Sequence, residues 1–265
     1  MRTNLHSLFS IAGFRKSFSP KIRISMLFIA MFILSAYHRP KKIRIFMIGD
    51  STMANKIPER YPETGWGMVF QSYFKDNVEV INRARNGLST KSFMRNNRWQ
   101  PILDTLQQGD YVIIEFGHND SKIDQPNIGT SPTEYKINLL KYINDTRSKK
   151  AIPILMTPVT RRNFNSDGSL GGNHKGYLEI VYEVVREEKV AFVDMYEKSR
   201  ELLIAYKAEP SKKLFLYADS GVYEGYPNGV KDNTHFNKEG AHKMAELAIA
   251  GLKEINSPLI KFLKK

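Results

Sequence analysis

Four short segments of the sequence carry groups that could act together in nucleophilic catalysis: Gly49-Asp50-Ser51, Gly87, Gly117-His118-Asn119-Asp120 and Asp232-Asn233-Thr234-His235. A serine hydroxyl becomes a useful nucleophile when a base lies within hydrogen-bond reach, another group orients that base, and N–H donors face the developing oxyanion. Ser51 could be that nucleophile, with His235 as the base and Asp232, three residues earlier, as the orienting group. The backbone N–H groups of Ser51 and Gly87 and the side-chain amide of Asn119 could then form the oxyanion hole.

The elements that must position these groups are strands. An apolar run with β-branched residues, Ile43 to Ile48, predicts a buried strand that ends just before Ser51. Further strands are predicted over residues 78–81, 111–116, 152–156 and 191–194, with helical stretches between them. This alternation indicates an α/β fold with one mostly parallel sheet, in a single domain over residues 41–265. The carboxyl ends of parallel strands share one edge of a sheet, so Ser51, Gly87 and Asn119 should lie close together.

Three features are predicted in the second half of the chain. Ser131, with Pro132 after it and Glu134 three residues later, has the pattern of a capped helix start. Pro210 to Lys231 is rich in Gly, Pro and Tyr, which predicts a long surface loop. Lys238 to Ile255 has apolar residues at helical spacing, which predicts a helix packed on the sheet.

Charge is unevenly distributed along the chain. The formal net charge is +13, but residues 1–42 hold eight Lys or Arg and no Asp or Glu, so the remaining residues carry only +5. That remainder has no Lys/Arg-rich run with interleaved aromatic residues, which argues against nucleic-acid binding. The sequence contains no cysteine, so no disulfide can form.

The basic amino terminus has the layout of an export signal. Basic residues up to Arg23 precede an uncharged apolar segment, Ile24 to Tyr37, and a second basic cluster follows it. The segment is shorter than the roughly 20 residues that a spanning helix needs, which favours a cleaved signal. Ser35-Ala36 is a poor match to a cleavage site, so an uncleaved anchor stays open. We therefore predict a signal or anchor over residues 1–40 and a periplasmic or extracellular location, with membrane contact only if the segment is not cleaved.

The four segments, in this order, resemble the ordered blocks of the SGNH, or GDSL-type, hydrolases, and the resemblance runs from about Ile43 to the last helix. Within that superfamily the stretches GDSTMANK, RNGLSTKSF and DNTHFN are most similar to rhamnogalacturonan acetylesterases, the twelfth carbohydrate esterase family. The resemblance implies a three-layer α/β/α sandwich with a flavodoxin-like sheet, and metal-free deacetylation through an acetyl-enzyme.

For individual residues, the resemblance implies Ser51, Asp232 and His235 as the catalytic triad, with Gly87 and Asn119 joining Ser51 in the oxyanion hole. It implies no cofactor and no metal. We expect a monomer that acts on acetylated polysaccharide or oligosaccharide, above all acetylated rhamnogalacturonan from pectin.

A pectic backbone carries uronate carboxylates, and arginine can hold a carboxylate through two parallel hydrogen bonds. Four arginines in the predicted loops are therefore candidate substrate contacts: Arg161, Arg162, Arg83 and Arg85. His118, beside Asn119, is a candidate for a supporting position or a substrate contact, and Trp99 is a candidate sugar-stacking surface. Asp50 and Asp120 are more typical of turn-forming carboxylates than of catalytic acids.

Three other functions stay open on the sequence alone. The enzyme could deacetylate another glycan such as xylan, since the fold and the triad are compatible with several polymers. His118, Asp120, Asp232 and His235 are candidate metal ligands of a phosphoesterase, although no early Asp-x-His pair exists to complete a bridged site. The third is a carbohydrate-binding protein that has lost catalysis, but such a protein has no need for Ser51, Asp232 and His235 together.

Overall fold

The computed structural model describes residues 42–264, and the prediction of an export signal or anchor over residues 1–40 lies outside them. The described residues contain a sheet of five strands: β1 Ile43–Gly49, β2 Val78–Asn82, β3 Tyr111–Glu115, β4 Ile152–Met156 and β5 Ala191–Val193. The order across the sheet is β2-β1-β3-β4-β5, and every neighbouring pair is parallel. Each strand lies within one residue of its predicted bounds.

Helices fill most of the connections between these strands. Within residues 42–264 the α-helices are α1 Trp66–Val69, α2 Thr90–Arg95, α3 Gln100–Thr105, α4 Pro132–Ser148, α5 Tyr177–Glu188, α6 Met195–Tyr206, α7 Ala208–Ser211 and α8 Lys238–Glu254. Short 3-10 helices cover Pro58–Arg60, Phe70–Tyr73, Lys212–Leu214 and Pro258–Phe262. Ser131 caps α4 as predicted, because its side chain accepts from the backbone N–H of Glu134. No helix in this described part is long and apolar enough to cross a membrane.

The helices cover both faces of the sheet. Along β1, Ile45 and Met47 belong to one core cluster and Phe46 and Ile48 to the other, as the two-residue period of a strand requires. The first cluster packs against α1, α6 and α8, and the second packs against α2, α3, α4 and α5. A parallel sheet buried on both faces by helices is the three-layer α/β/α sandwich, and that prediction is confirmed.

The chain reverses its direction across the sheet at β1. β2 lies on one side of β1, and β3 lies on the other. In sheets of this flavodoxin-like order, ligands bind at the carboxyl ends of the strands beside the reversal. Ser51 follows β1, and the loops that carry Gly87 and Asn119 follow β2 and β3, so the topology brings all three to that edge.

The predicted loop from Pro210 to Lys231 is wrong in part, because it contains a strand of a hairpin. β6 Phe215–Ala218 pairs antiparallel with β7 Val230–Phe236. Leu216 faces Asp232 and Phe215 faces Phe236, so residues 233–235 bulge out of the ladder. The hairpin was not predictable from the sequence, because the bulge and the polar residues of β7 interrupt the alternation of apolar and polar residues that is typical of a strand.

The apolar spacing of Trp66, Val69, Phe70 and Phe74 predicts one helix from Gly65 to Lys75, but the segment forms two shorter elements. α1 ends at Val69, and the 3-10 helix Phe70–Tyr73 follows it directly. Trp66, Phe70 and Phe74 are nevertheless fully buried, as their apolar spacing predicted. Aromatic and β-branched residues are weak helix formers, so packing rather than propensity sets the winding of this segment.

Candidate active site

Ser51, His235 and Asp232 form a continuous chain of hydrogen bonds at the carboxyl edge of the sheet. The Oγ of Ser51 lies 2.8 Å from Nε2 of His235, and Nδ1 of His235 lies 2.7 Å from Oδ2 of Asp232. With Nδ1 donating to the carboxylate, Nε2 is the nitrogen that accepts from the Ser51 hydroxyl. All three residues line one open cavity of about 430 Å³.

The bulge that carries His235 is held by Asp232 itself. Oδ1 of Asp232 accepts from the backbone N–H groups of Thr234 at 2.7 Å and His235 at 3.0 Å, which closes an Asx turn. Burial raises the pKa of Asp232, but the hydrogen bonds and charge of His235 and the Thr234 N–H outweigh it and lower the pKa to about 2. Asp232 is therefore ionised at neutral pH. One oxygen shapes the bulge and the other orients the imidazole.

Arg161 and Arg162 also hold this bulge. The guanidinium of Arg161 donates to Thr234 Oγ1 at 2.9 Å and to the backbone carbonyl of His118 at 3.2 Å. Arg162 is buried, and it donates to Asn233 twice, from its guanidinium to Oδ1 and from its backbone N–H to the carbonyl, each at 2.8 Å. The burial of Arg162 contradicts the prediction that it binds a uronate carboxylate. The contacts of Arg161 likewise place it in the support of the bulge.

Gly87 and Asn119 line the same cavity as Ser51. Gly87 has φ +75°, in the left-handed region that glycine enters without steric cost. A Cβ added there would meet no atom within 4 Å, so the backbone conformation, and not a lack of space, requires glycine. The three residues predicted to form an oxyanion hole are thus gathered around one cavity.

The side-chain amide of Asn119 is fixed by two neighbours. Lys122 Nζ donates to Asn119 Oδ1 at 2.7 Å, and Asn119 Nδ2 donates to the backbone carbonyl of Leu88 at 3.0 Å. An ammonium has only donors, so it can face only the oxygen of the amide. Lys122 therefore sets the orientation of the amide and leaves the second N–H of Nδ2 for a ligand. Lys122 was not predictable from the sequence, because a lysine three residues after Asn119 belongs to no recognisable motif.

A buried ion pair braces the nucleophile turn. Lys56 Nζ donates to the backbone carbonyl of Ser51 at 2.6 Å and to Asn86 Oδ1 at 2.8 Å, and it pairs with Glu63 at 2.7 Å. The hydroxyl of Tyr226 donates to the other oxygen of Glu63 at 2.9 Å. Burial lowers the pKa of Lys56, although the hydrogen bond and charge of Glu63 oppose that shift. The ammonium of Lys56 thus joins the Ser51 turn to the loop after β2. No local sequence pattern predicts these partners of Lys56.

Two buried carboxyl groups lie beneath the nucleophile turn. Asp50 Oδ1 accepts from the backbone N–H and the hydroxyl of Thr52, both at 3.0 Å, as expected of a turn-forming carboxylate. Glu115 accepts from Trp66 Nε1 at 2.8 Å and from the backbone N–H of Val159 at 3.1 Å. Burial, followed by the negative charge of Asp50, raises the pKa of Glu115 to about 8. Both carboxyl groups are fully buried, so they support the site from behind.

His118 and Trp99 are buried away from the cavity. His118 is 2% exposed, and its ring lies edge-on to that of His174 with 4.5 Å between centroids. Burial, followed by the charge of Arg161, lowers the pKa of His118 well below its usual range, so the ring is neutral. Trp99 is 3% exposed, and its N–H donates to Asp145 at 2.8 Å. These positions contradict a sugar contact for Trp99 and leave His118 in a supporting position.

The side chains considered as ligands of a phosphoesterase metal do not come together. Asp120 is buried and accepts from the backbone N–H of Thr90 at 3.0 Å and the hydroxyl of Thr130 at 3.1 Å. Asp232 and His235 instead line the open cavity. Across residues 42–264, no group of three or more His, Asp or Glu side chains is placed to hold a metal ion. That ligand set is therefore not assembled in the described part of the chain.

Arg83 and Arg85 have a different environment from Arg161 and Arg162. Both are exposed, and neither side chain makes a hydrogen bond or an ion pair within the described residues. They line a cavity of their own beside the loop that carries Gly87. Of the four predicted arginines, these two have free guanidinium groups.

The family model of the GDSL-like lipase/acylhydrolase family matches residues 47–243. That range covers most of the chain and includes the predicted nucleophile, base and oxyanion-hole residues. The chain belongs to this family. The predicted membership of the GDSL-type hydrolases is therefore confirmed, and this GDSL-like chain is a carboxylic ester hydrolase.

The relatives of this GDSL-like chain include proteins named as rhamnogalacturonan acetylesterases. Rhamnogalacturonan acetylesterase RhgT of Bacillus subtilis (strain 168) is 38% identical over 220 residues, which cover 83% of this chain and 93% of that protein. The rhamnogalacturonan acetylesterase of Emericella nidulans is 30% identical over 223 residues, which cover 76% of this chain and 81% of that protein. The predicted similarity to rhamnogalacturonan acetylesterases is confirmed.

Solved structures of related fold agree with the three-layer sandwich. Protein YxiM of Bacillus subtilis superposes with a TM-score of 0.70 at 27% identity, over 82% of this chain and 58% of that chain. The acetylxylan esterase Axe2 of Geobacillus stearothermophilus superposes with a TM-score of 0.55 at 20% identity, over 82% of this chain and 95% of that chain. The GDSL-like chain thus spans little more than half of the YxiM chain, and its likeness to Axe2 is one of fold alone.

Proposed function

We propose that this protein is an exported serine esterase that removes acetyl groups from acetylated rhamnogalacturonan. The observation that carries the proposal is the hydrogen-bond chain from Ser51 Oγ through His235 to Asp232, with links of 2.8 and 2.7 Å. The rhamnogalacturonan acetylesterases of Bacillus subtilis and Emericella nidulans support the choice of substrate. Export rests on the sequence of residues 1–40, and an exported enzyme of this kind would act in pectin degradation outside the cell.

In the first half-reaction, Ser51 Oγ attacks the carbonyl carbon of an acetyl ester. His235 Nε2 takes the hydroxyl proton as the new C–O bond forms, which produces an imidazolium and a tetrahedral oxyanion. The backbone N–H groups of Ser51 and Gly87 and the remaining N–H of Asn119 donate to this oxyanion. His235 then gives its proton to the sugar oxygen as the ester bond breaks. The deacetylated sugar leaves, and the acetyl group stays on Ser51.

In the second half-reaction, water takes the place of the sugar. His235 removes a proton from the water while the water oxygen attacks the acetyl carbon. The N–H groups of Ser51, Gly87 and Asn119 donate to the second oxyanion as they did to the first. Collapse of that intermediate returns the proton to Ser51 and releases acetate. Asp232 stabilises the imidazolium in both halves, because its pKa of about 2 keeps it ionised at neutral pH.

Acetate release from acetylated rhamnogalacturonan, measured beside hydrolysis of an aryl acetate, tests the proposal. The wild type should act on both substrates, and Ser51→Ala should lose orders of magnitude in kcat on each. Ser72→Ala is a matched control, because Ser72 is exposed and its hydroxyl donates to the backbone carbonyl of Val69 at 2.6 Å. Mass spectrometry of an acid-quenched reaction should find the acetyl group on the peptide that contains Ser51.

Each part of the proposal can fail separately. Near-full acetate release by Ser51→Ala would show that the nucleophile is another group. Activity that is lost on exhaustive chelation and restored by zinc or manganese would favour a metal-dependent hydrolase. Release of acetate from acetylated xylan but not from rhamnogalacturonan would keep the chemistry and replace the substrate. Binding of the polymer without any acetate release would favour a carbohydrate-binding protein.

A further inference from the structure

A second cavity, of about 180 Å³, is lined by three arginines. Arg83 and Arg85 come from the segment after β2, and Arg98 comes from the turn between α2 and α3. Uncharged residues complete the wall: Phe46, Asn97, Pro101, Ile102 and Thr105. No acidic residue lines this arginine cavity, whose wall is made of residues within the described range 42–264.

The backbone fixes Arg83 and Arg85 on one side of the sheet. Their N–H groups donate to the carbonyls of Met47 at 2.8 Å and Gly49 at 3.0 Å, so the segment continues beside β1 in extended form. Side chains two residues apart on an extended segment point to the same face. Ala84, between them, is buried in the core cluster of the opposite face. Both arginines therefore point into the arginine cavity together.

The end of helix α2 fixes Arg98. Asn97 has φ +51°, its N–H donates to the carbonyl of Met94 at 2.9 Å, and the N–H of Arg98 donates to that of Phe93 at 3.0 Å. These two bonds form a Schellman motif, which gives the chain a defined corner. Trp99, the next residue, is buried in the core and anchors that corner. The third guanidinium thus starts from a rigid backbone position.

The arginines of the arginine cavity have no ion-pair partner among residues 42–264. Arg83, Arg85 and Arg98 are exposed, and none of their side chains forms an ion pair or a hydrogen bond with another described residue. By contrast, nearby Arg44 pairs with Asp110. Three like charges around one cavity repel one another and create a positive potential that attracts an anion. A carboxylate fits such a site, because a guanidinium offers it two parallel donors.

The walls of the arginine cavity and the catalytic cavity include consecutive residues of the chain. Asn86 and Gly87 line the catalytic cavity, whereas Arg85 lines the arginine cavity. Consecutive Cα atoms lie about 3.8 Å apart, so the two walls share the backbone between Arg85 and Asn86. A polysaccharide with one acetyl group at Ser51 would extend across this backbone to reach the arginines.

We propose that Arg83, Arg85 and Arg98 form an anionic subsite that binds the carboxylate of a uronate near the acetylated sugar. The inference rests on the proposed function, since it takes the substrate to be an acidic polysaccharide. It assigns recognition of the acidic backbone to the arginine cavity and leaves Arg161 and Arg162 to the support of the β7 bulge.

The test compares acetylated rhamnogalacturonan oligosaccharides with the same oligosaccharides after reduction of their uronate carboxyl groups to alcohols. The informative quantity is the ratio of kcat/KM for the native substrate to kcat/KM for the reduced one. A carboxylate held by two charge-assisted hydrogen bonds, each worth about tenfold, gives an expected wild-type ratio of roughly 100, which should fall as salt is added. The variant R83Q/R85Q/R98Q should bring the ratio close to 1, through a higher KM for the native substrate.

Arg186→Gln is the matched control, because Arg186 is exposed on α5 and lines neither cavity. Its ratio should equal that of the wild type. Arg98→Gln alone, which should lower the ratio about tenfold, provides the test if the triple variant does not fold. Equal ratios for the wild type and a folded triple variant would overturn the subsite.

Failure of the proposed function gives a different result. A wild type that hydrolyses an aryl acetate but releases no acetate from either oligosaccharide would overturn the proposed substrate. Titration of the deacetylated rhamnogalacturonan oligosaccharide into Ser51→Ala, with and without R83Q/R85Q/R98Q, then decides the subsite without any turnover. Binding at least tenfold weaker with the arginines removed supports it, and equal or undetectable binding in both overturns it.

Discussion

Replacing Lys122 with methionine should slow acetyl transfer by releasing the Asn119 amide. The ammonium of Lys122 donates to Asn119 Oδ1 at 2.7 Å, and Asn119 itself is 3% exposed. Methionine keeps an unbranched apolar stem and removes the ammonium donors. Without the ammonium, the amide can turn over and present its oxygen, instead of an N–H, to the developing oxyanion.

The size of the effect follows from the two bonds of the amide. An oxyanion-hole donor contributes about 2.7–4 kcal/mol to transition-state stabilisation. The bond from Asn119 Nδ2 to the carbonyl of Leu88, at 3.0 Å, survives the substitution and still favours the native orientation. We therefore expect a loss nearer that of one charge-assisted bond at a partly exposed site, about 1.5 kcal/mol. That loss lowers kcat about tenfold and changes KM little, because the N–H that Asn119 presents to the oxyanion acts on charge that develops only in the transition state.

A double-mutant cycle with an aryl acetate as substrate isolates this pathway. Asn119→Ala alone should lower kcat by about 10²–10³. In the Asn119→Ala background, Lys122→Met should lower kcat by a further factor of less than about two, since the amide that Lys122 orients is gone. Lys122→Arg, which retains a cationic donor, should recover part of the loss. Equal costs of Lys122→Met in both backgrounds would refute the reasoning and place Lys122 in contact with the substrate.

Three further predictions concern neighbouring groups. Gly87→Val should lower kcat strongly by straining a backbone at φ +75°, and normal kinetics on an aryl acetate would remove Gly87 from the site. Arg162→Ala should lower the melting temperature and reduce kcat/KM for an aryl acetate and for the polymer by the same factor, whereas a loss confined to the polymer would mean that Arg162 contacts substrate. Glu115→Gln should lower the unfolding free energy, and this loss should shrink as pH rises from 4.5 to about 8. In that window folded Glu115 keeps its proton, whereas the unfolded wild type releases it and so becomes relatively more stable. Denaturant unfolding across this pH range measures that cost, and a cost independent of pH would contradict the raised pKa of Glu115.

The parallel sheet and the loops at its edge were predictable because their signals are local. A strand buried on both faces contains a continuous apolar run, and β1 and β3 contain such runs over residues 45–49 and 111–114. The turn after each run gives the position of its polar residues relative to the sheet edge. Ser51, Gly87 and Asn119 could therefore be placed together without knowledge of any side-chain contact.

Burial of polar and aromatic loop residues was not predictable in the same way. Trp99 and Arg162 belong to no apolar pattern of a predicted helix or strand. Trp99 nevertheless anchors the corner after α2, and Arg162 donates to Asn233 beneath the bulge. The partners of Lys56, which are Ser51, Asn86 and Glu63, are brought together only by the fold. Such contacts depend on which loops meet in space, and a single sequence carries no record of that.

Asp232→Asn separates the two tasks of the Asp232 carboxylate in the β7 bulge. The backbone N–H groups of Thr234 and His235 both need an oxygen, so the amide of the variant should keep its Oδ1 on them and preserve the Asx turn. Its NH₂ would then face His235 Nδ1, where the native Oδ2 accepts at 2.7 Å, and would favour the tautomer with the proton on Nε2. That Nε2–H cannot accept from Ser51, so kcat should fall by about 10⁴ while the unfolding free energy changes little. Asp232→Ala should lower both kcat and the unfolding free energy. If Asp232→Asn lowered the unfolding free energy as much as Asp232→Ala does, the turn would depend on the charge of Asp232. Wild-type turnover by Asp232→Asn would show that Asp232 does not orient the base.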